Sequence, residues 1–285
     1  MPYVRNDGAM YMMPAHFGPC VTPRQDKDLE RFIYDQPTHR IYHTIVFESD
    51  IGQMSQLVPQ GFEVTAPYVS VFIGMLREIA WLAGYGYNLA GVNFPVKYHG
   101  KSGTVEGSLL LVLWENHADP IITGREQLGY NKIFASIDDI TEYGSIARTK
   151  LSSWGFTFLE MDFFMPSEPE DRGVLLSVLA NPDSKGTFHH KYIPRTGDGF
   201  RAADAEYVTM TPNDHKLPAD ISPPRPDELT YMSGTLKWNV PRFEDMPTQF
   251  HIVQALGALE IKRYIGAMRL DGYSANDFGA QFIVE

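Results

Sequence analysis

Apolar runs of strand length, cut apart at short intervals by glycine, proline and asparagine, dominate this chain and leave little room for helix. Of its 285 residues, 24 are glycine and 20 are proline, so punctuation is available at almost every run. The runs at 40–47, 68–82, 91–98, 104–114, 132–137, 145–151, 155–164, 174–179, 188–193, 206–210, 229–238 and 259–268 read as strands. Several are long and alternate poorly, as strands buried on both faces do. There are too many for an open two-layer sandwich, and regular βαβ alternation is missing. The expected fold is mainly β (α+β): a closed or cone-like antiparallel barrel with a few short helices, forming one domain over residues 1–285. Helix is expected only at 51–58, at 120–128, and after Pro247-Thr248 through His251, Ile252, Ala255 and Leu256, with Thr248 as N-cap. The proline-rich stretch 217–226 reads as a surface loop.

A formal net charge of −11 argues against nucleic acid or an anionic membrane as the main partner, while leaving a small anionic substrate open. No apolar stretch is long enough to cross a bilayer as a helix, and Met1–Gly8 lacks the basic-then-apolar layout of a secretory signal. The single cysteine, Cys20, precludes an internal disulfide, and a reducing, cytoplasmic setting is expected.

Common catalytic signatures are missing. There is no Gly-X-Ser-X-Gly elbow, no phosphate-cradling glycine loop, no His-Glu-X-X-His and no Cys-X-X-Cys. His189 and His190 are adjacent, so on a strand they face opposite ways and cannot share a metal; both are expected at a surface or interface. His117 reads as a turn residue and Cys20 as inert. No metal or organic cofactor is expected.

The segment Gly124–Ala135 carries the chemistry. It places Lys132 at the head of an apolar run, directly after Gly129-Tyr130-Asn131. A lysine entering an apolar strand is costly unless paired, exposed or used, because burial disfavours an ammonium and favours a nucleophilic amine. From the lysine alone two readings stand: a strand-edge residue whose stem packs while its head reaches water, or a nucleophile.

The segment resembles the Gly-Arg-Glu…Tyr/Phe-Pro-Lys motif of the acetoacetate decarboxylase family, through Gly124-Arg125-Glu126 and Tyr130-Asn131-Lys132. The likeness is dispersed over most of the chain. Pro14–Pro19, the run Arg40–Phe47 with Ser49-Asp50 and Val58-Pro59, and Gly234–Trp238 with Met246-Pro247 and His251-Ile252-Val253 follow in the family's order. The resemblance implies a β-rich barrel or cone with an apolar interior, a covalent lysine imine in place of a cofactor, a small keto acid as partner, and a homo-oligomer. It makes Lys132 the Schiff-base lysine and Arg40 the partner of a substrate carboxylate. Bringing a lysine pKa from about 10.4 to near 7 takes roughly 4–5 kcal/mol. Desolvation and a neighbouring cation are the routes already known for this family.

The chain also departs from the family pattern. The second lysine of characterised members is Ile133 here, which a strand would turn away from Lys132. Desolvation is therefore expected to do most of the work, with Arg40 as any cationic help. Two pocket glutamates of the family fall at Phe72 and Tyr87. A phenol at Tyr87 can still deliver a proton. Phe72, Glu126 and Ile133 are expected at the substrate pocket, and Arg125-Glu126 as a turn-stabilising ion pair. An apolar pocket of this kind suits a β-keto acid bulkier than acetoacetate. The alternatives are aldol or dehydration chemistry through the same imine, or a non-catalytic barrel that binds a small ligand. Trp81, Phe94 and Trp114 read as core residues.

Overall fold

Strands form where the punctuation leaves them, and most are longer than the apolar run alone predicts. The computed structural model describes residues 5–30, 37–197, 199, 201–213, 223–274 and 280–285. In chain order the strands are β1 (Thr38–Glu48), β2 (Phe62–Val64), β3 (Tyr68–Arg77), β4 (Tyr87–Gly100), β5 (Gly103–Glu115), β6 (Lys132–Phe134), β7 (Ser136–Ile137) and β8 (Thr141–Tyr143). They continue as β9 (Ile146–Ser153), β10 (Phe156–Phe164), β11 (Gly186–Pro194), β12 (Ala203–Pro212), β13 (Glu228–Trp238), β14 (Arg263–Ser274) and β15 (Phe282–Val284). Hydrogen bonding links them in the order β15-β12-β11-β5-β4-β3-β1-β14-β13-β10-β9-β7, with β2 on β4, β6 beside β5 and β8 on β9. The fold is mainly β with few short helices, as expected, and among the described residues the path runs open from β15 to β7.

The centre of the sheet is a two-faced meander, β1-β3-β4-β5. On one face Ile45, Phe47, Val71, Ile73, Ala90, Val92, Val112 and Trp114 pack into the main core. The other face carries Leu89, Leu110 and Leu113, with Tyr42, Phe72, Leu76, Tyr87 and Tyr130 packed against them. A bulge keeps both faces apolar: Val92 pairs with Val112 but Asn93 with Leu110, so Leu111 is skipped and Leu110 and Leu113 share a face. Large rings cross the second face only because two neighbours lack side chains. A Cβ on Gly74 would lie 2.6 Å from the Tyr42 ring, and one on Gly91 would lie 2.6 Å from the Phe72 ring.

Four short helices sit around the sheet: α1 (Ile51–Ser55), α2 (Ala118–Thr123), α3 (Arg172–Leu179) and α4 (Phe250–Gly257). Helix α3 corrects the strand expected at 174–179. The Asp171 carboxylate accepts from the Val174 amide at 2.9 Å and caps a helix whose Leu175 packs on Val46 and Ile265. The run 68–82 ends as a strand at Arg77, because Glu78 and Ala83 take positive φ around a short 3₁₀ turn, Ala80–Leu82. At α4 the N-cap position is Gln249, not Thr248. Its side chain instead accepts from Trp114 Nε1 at 2.9 Å and donates to the Phe134 carbonyl at 2.8 Å. The loop expected at 217–226 lies mostly outside the described residues. Among the described residues no helix is long and apolar enough to cross a membrane.

Candidate active site

Lys132 owes its position to the turn before it. Helix α2 runs into one π-helical turn, Gly124–Leu128, which Gly129 ends at φ 85°. The chain then reverses. Asn131 donates its side-chain amide to the carbonyls of Leu110 (2.8 Å) and Leu111 (3.3 Å), so it occupies the groups freed by the β5 bulge. That clamp sets the parallel register of β6 on β5, with Lys132 beside Leu113. Arg125 Nη1 donates to the Lys132 carbonyl at 2.8 Å. Arg125 thus serves the lysine's backbone directly and forms no ion pair with Glu126.

The lysine side chain runs across the face of the π turn. A Cβ on Gly124 would sit 2.6 Å from both Cδ and Cε and 2.8 Å from Nζ, so only glycine admits the stem. Nζ donates to the Pro120 carbonyl at 3.1 Å and stands 5.0 Å from the centre of the Tyr130 ring. Its charged neighbour is an anion: Glu115 Oε1 lies 2.9 Å away, with the lysine side chain 9% and the glutamate 0% exposed. The approach is close but off-axis, leaving both carboxylate oxygens without an aligned hydrogen bond among the described residues. Burial pushes the Glu115 carboxyl up, and Lys132 opposes that shift. Desolvation assisted by a cation, the expectation from sequence, is therefore not what this geometry provides; a second charge of opposite sign shares the dry site.

These groups line a cavity of about 260 Å³. Strand register sorts its lining into rows. Glu115 pairs with Leu89, which pairs with Gly74, which pairs with Tyr42. The next row holds Lys132, Leu113, Gly91 and Phe72. Beyond it Asn93 pairs with Leu110, and the β5–β11 register sets His189 on the other side of Leu110. Tyr42, Tyr87 and Tyr130 present phenols to this space. Burial raises the Tyr42 hydroxyl to about 12, and raises Tyr87 and Tyr130 as well, with Glu115 adding to each shift. All three stay protonated donors at neutral pH.

Of the residues singled out from sequence, Lys132, Tyr87 and Phe72 line the cavity. Arg40 does not: on β1 it lies beyond Tyr42, its Nη2 donates to Asp227 at 3.0 Å, and its Nε is buried without a partner among the described residues. Glu126 is also outside the lining; its carbonyl accepts from Lys191 Nζ at 2.5 Å. Ile133 faces a neighbouring cavity with Arg125, His190 and Ile252, as strand alternation requires. His189 and His190 do point to opposite sides, but His189 is wholly buried rather than superficial. Glu115, Tyr42, Tyr130 and His189 are the cavity groups that sequence reasoning missed. Among the described residues no group of three His, Cys, Asp or Glu side chains is placed to hold a metal ion.

A sequence model of the acetoacetate decarboxylase family matches residues 13–272. The chain is similar to the acetoacetate decarboxylase of Clostridium acetobutylicum, at 25% identity over 158 residues that cover 51% of this chain and 61% of that protein. The chain thus spans less than two thirds of that curated relative. Its fold is similar to the crystal structure of acetoacetate decarboxylase from Legionella pneumophila, with TM-score 0.60, 18% identity, and coverage of 90% of this chain and 91% of that one. It is also similar to the enduracididine biosynthesis enzyme MppR, complexed with the condensation product of pyruvate and imidazole 4-carboxaldehyde. There the TM-score is 0.55, identity 14%, and coverage 84% and 86%.

Proposed function

For a chain that belongs to the acetoacetate decarboxylase family, we propose a Schiff-base lyase that decarboxylates a small β-keto acid through Lys132. The observation that carries the reading is the Lys132–Glu115 pair: Nζ 2.9 Å from Oε1, both side chains almost dry, in the lining of a cavity. Two charges in such a place cost more than two neutral groups unless they are well aligned and further hydrogen-bonded; the lysine has the Pro120 carbonyl, but neither Glu115 oxygen has an aligned partner among the described residues. The pair is therefore suited to pass one proton back and forth.

In the proposed sequence the neutral amine attacks the keto carbon, forming the C–N bond of a carbinolamine. Glu115 supplies a proton to the departing hydroxyl, water leaves, and a protonated imine remains. The bond from the α-carbon to the carboxylate then breaks, its electron pair moves into the iminium, and carbon dioxide departs. Tyr87 protonates the resulting enamine carbon, water hydrolyses the imine to return the ketone and Lys132, and the one proton consumed in place of the carboxylate is taken up from solvent. Arg40, outside the lining and paired with Asp227, is assigned only a longer-range attraction on the acid group from beyond Tyr42.

Among the described residues, Lys132 and Glu115 are the only charged ones lining the cavity, and no arginine lies with them. That favours a second reading, carbon–carbon bond formation or dehydration of a keto acid through the same imine. The condensation product bound to the fold relative MppR fits it.

Borohydride reduction in the presence of a panel of β-keto acids tests the first step. The expected result is a permanent mass increase on Lys132, absent in Lys132→Ala. Carbon dioxide release during turnover supports decarboxylation, and turnover without it supports the second reading. No adduct with any keto acid, together with wild-type behaviour of Lys132→Ala, leaves a ligand-binding barrel.

A further inference from the structure

The end of the cavity away from Glu115 holds a hydrogen-bond chain whose protons can be counted. Gln281 Nε2 donates to the Leu128 carbonyl (2.9 Å) and to Thr209 Oγ1 (3.1 Å), which fixes Gln281 Oε1 as an acceptor. Thr211 Oγ1 donates to that oxygen at 2.6 Å and so spends its only hydrogen. Its two further partners, the Tyr130 hydroxyl at 2.8 Å and His189 Nε2 at 3.0 Å, must then both donate to it. His189 is the Nε2–H tautomer, and its Nδ1 keeps a bare lone pair.

That lone pair is buried, on a side chain 0% exposed, and has no partner among the described residues. The ring cannot swing away, because it stacks on Tyr130 at 3.8 Å. Burial, with Lys132 nearby, depresses its pKa to about 3, so Nδ1 remains an acceptor at neutral pH. A second bare acceptor stands in the same row: Asn93 Oδ1 is buried without a partner among the described residues, across Leu110 from His189. A native interior rarely leaves buried polar atoms unpaired. Both residues line the cavity, one row of side chains, about 7 Å along the strands, from the row of Lys132. Among the described residues no charged group lines this end.

Resting on the imine reading for the reactive end, we propose that the Asn93–His189 row is a subsite for a neutral hydrogen-bond donor. The substrate is a keto acid whose tail carries a hydroxyl or N–H group, donated to His189 Nδ1 and within reach of Asn93 Oδ1. His189 is then the specificity-determining residue. An alkyl tail of the same length leaves these acceptors unpaired, which is why a site of this kind discriminates strongly.

The test uses matched pairs of keto acids that differ only in a terminal methyl against a hydroxymethyl group, in competition for borohydride trapping on the full chain. The expected result is a preference for the hydroxylated compound of at least about tenfold. His189→Phe, which keeps a flat ring and removes the acceptor, is expected to bring the ratio close to one, and Asn93→Leu to narrow it. No preference in the wild type overturns the proposal, and so does a preference that survives in folded His189→Phe; the wild-type ratio needs no variant to fold. If neither compound is trapped, the imine reading has failed separately. Equilibrium binding of the same pairs then decides the subsite: tighter binding of the hydroxylated partner, lost in His189→Phe, upholds it, and equal or absent binding overturns it.

Discussion

Gly124→Ala is the sharpest probe of how Lys132 is held. The backbone at Gly124 is helical, φ −64° and ψ −41°, so alanine suffers no strain there and gains about 0.5–1 kcal/mol over glycine in helix propensity. Everything unfavourable must come from the lysine. The new Cβ would lie 2.6 Å from Cδ and Cε, where carbon–carbon contacts settle near 3.5–4.0 Å, so the stem has to retreat by about 1 Å. It cannot do so freely between Glu115, the Pro120 carbonyl and the Tyr130 ring. An off-rotamer stem costs about 0.5–1.5 kcal/mol, and weakening a buried ion pair costs up to about 3–5 kcal/mol. A net loss of about 1–3 kcal/mol is expected despite the helical gain.

Chemistry should suffer more than stability, since a misplacement of about 1 Å in a reacting group can cost about 10²-fold. The measurements are urea unfolding and the rate of borohydride trapping for Gly124→Ala, Lys132→Ala and the double variant. With the lysine gone the alanine has nothing to strike. Gly124→Ala is then expected to be neutral or stabilising by up to about 1 kcal/mol, and the cycle to show a coupling of about 1–3 kcal/mol. Additive effects within about 0.5 kcal/mol, or trapping of Gly124→Ala at the wild-type rate, would refute the reasoning.

Three further outcomes follow from the same geometry. His43 and His189 are buried and held neutral, with pKa values lowered from 6.5 to about 4 and about 3. The unfolded chain binds protons that the folded chain refuses, so stability falls as pH drops below about 6.5, by about 1.4 kcal/mol per pH unit for each histidine until its folded value is reached; urea midpoints between pH 7 and 4.5 should show this slope, roughly halved in His43→Phe. Glu115→Gln keeps the shape but removes the proton carrier; imine trapping should slow by about 10²-fold or more, and a wild-type rate would take Glu115 out of the chemistry. Arg40→Met should raise the KM of keto acids several-fold while leaving the binding of neutral ketones unchanged, and an equal effect on both would reduce Arg40 to its ion pair with Asp227.

Legibility in the sequence followed the locality of the cause. Strands β1, β5, β10 and β13 were readable because each is a run bounded by punctuation. The stretch at 174–179 was not, since six apolar-rich residues with two valines suit either state. The decision lies with Asp171 as an N-cap and with the Val46–Ile265 surface waiting beneath. Lys132 was legible through a dispersed resemblance. Glu115 stayed hidden for two reasons: it follows Trp114 at the expected end of its strand, and the bulge at Leu111 breaks any parity counted from the strand's start. His189 read as superficial because nothing local in His189-His190 announces that one of them stacks beneath Tyr130.

Glu115 changes what burial accomplishes at Lys132. A neighbouring cation makes an amine available by opposing the ammonium; a carboxylate in a dry site can do so by accepting its proton. The two devices treat an arriving keto acid differently. Beside a charged carboxylate the acid group is repelled, at a distance where low dielectric magnifies the effect. Beside a protonated one it meets a hydrogen-bond donor. Burial pushes the Glu115 carboxyl up, toward the form that donates, and the Tyr42 and Tyr87 phenols on that side of the cavity are donors as well. The donors thus gather at the end where an acid group and a departing hydroxyl would lie, and the bare acceptors of Asn93 and His189 at the other. A substrate with its acid near Lys132 and a hydroxyl on its tail matches that polarity along its whole length, whereas the reverse orientation would set its anion against two lone pairs.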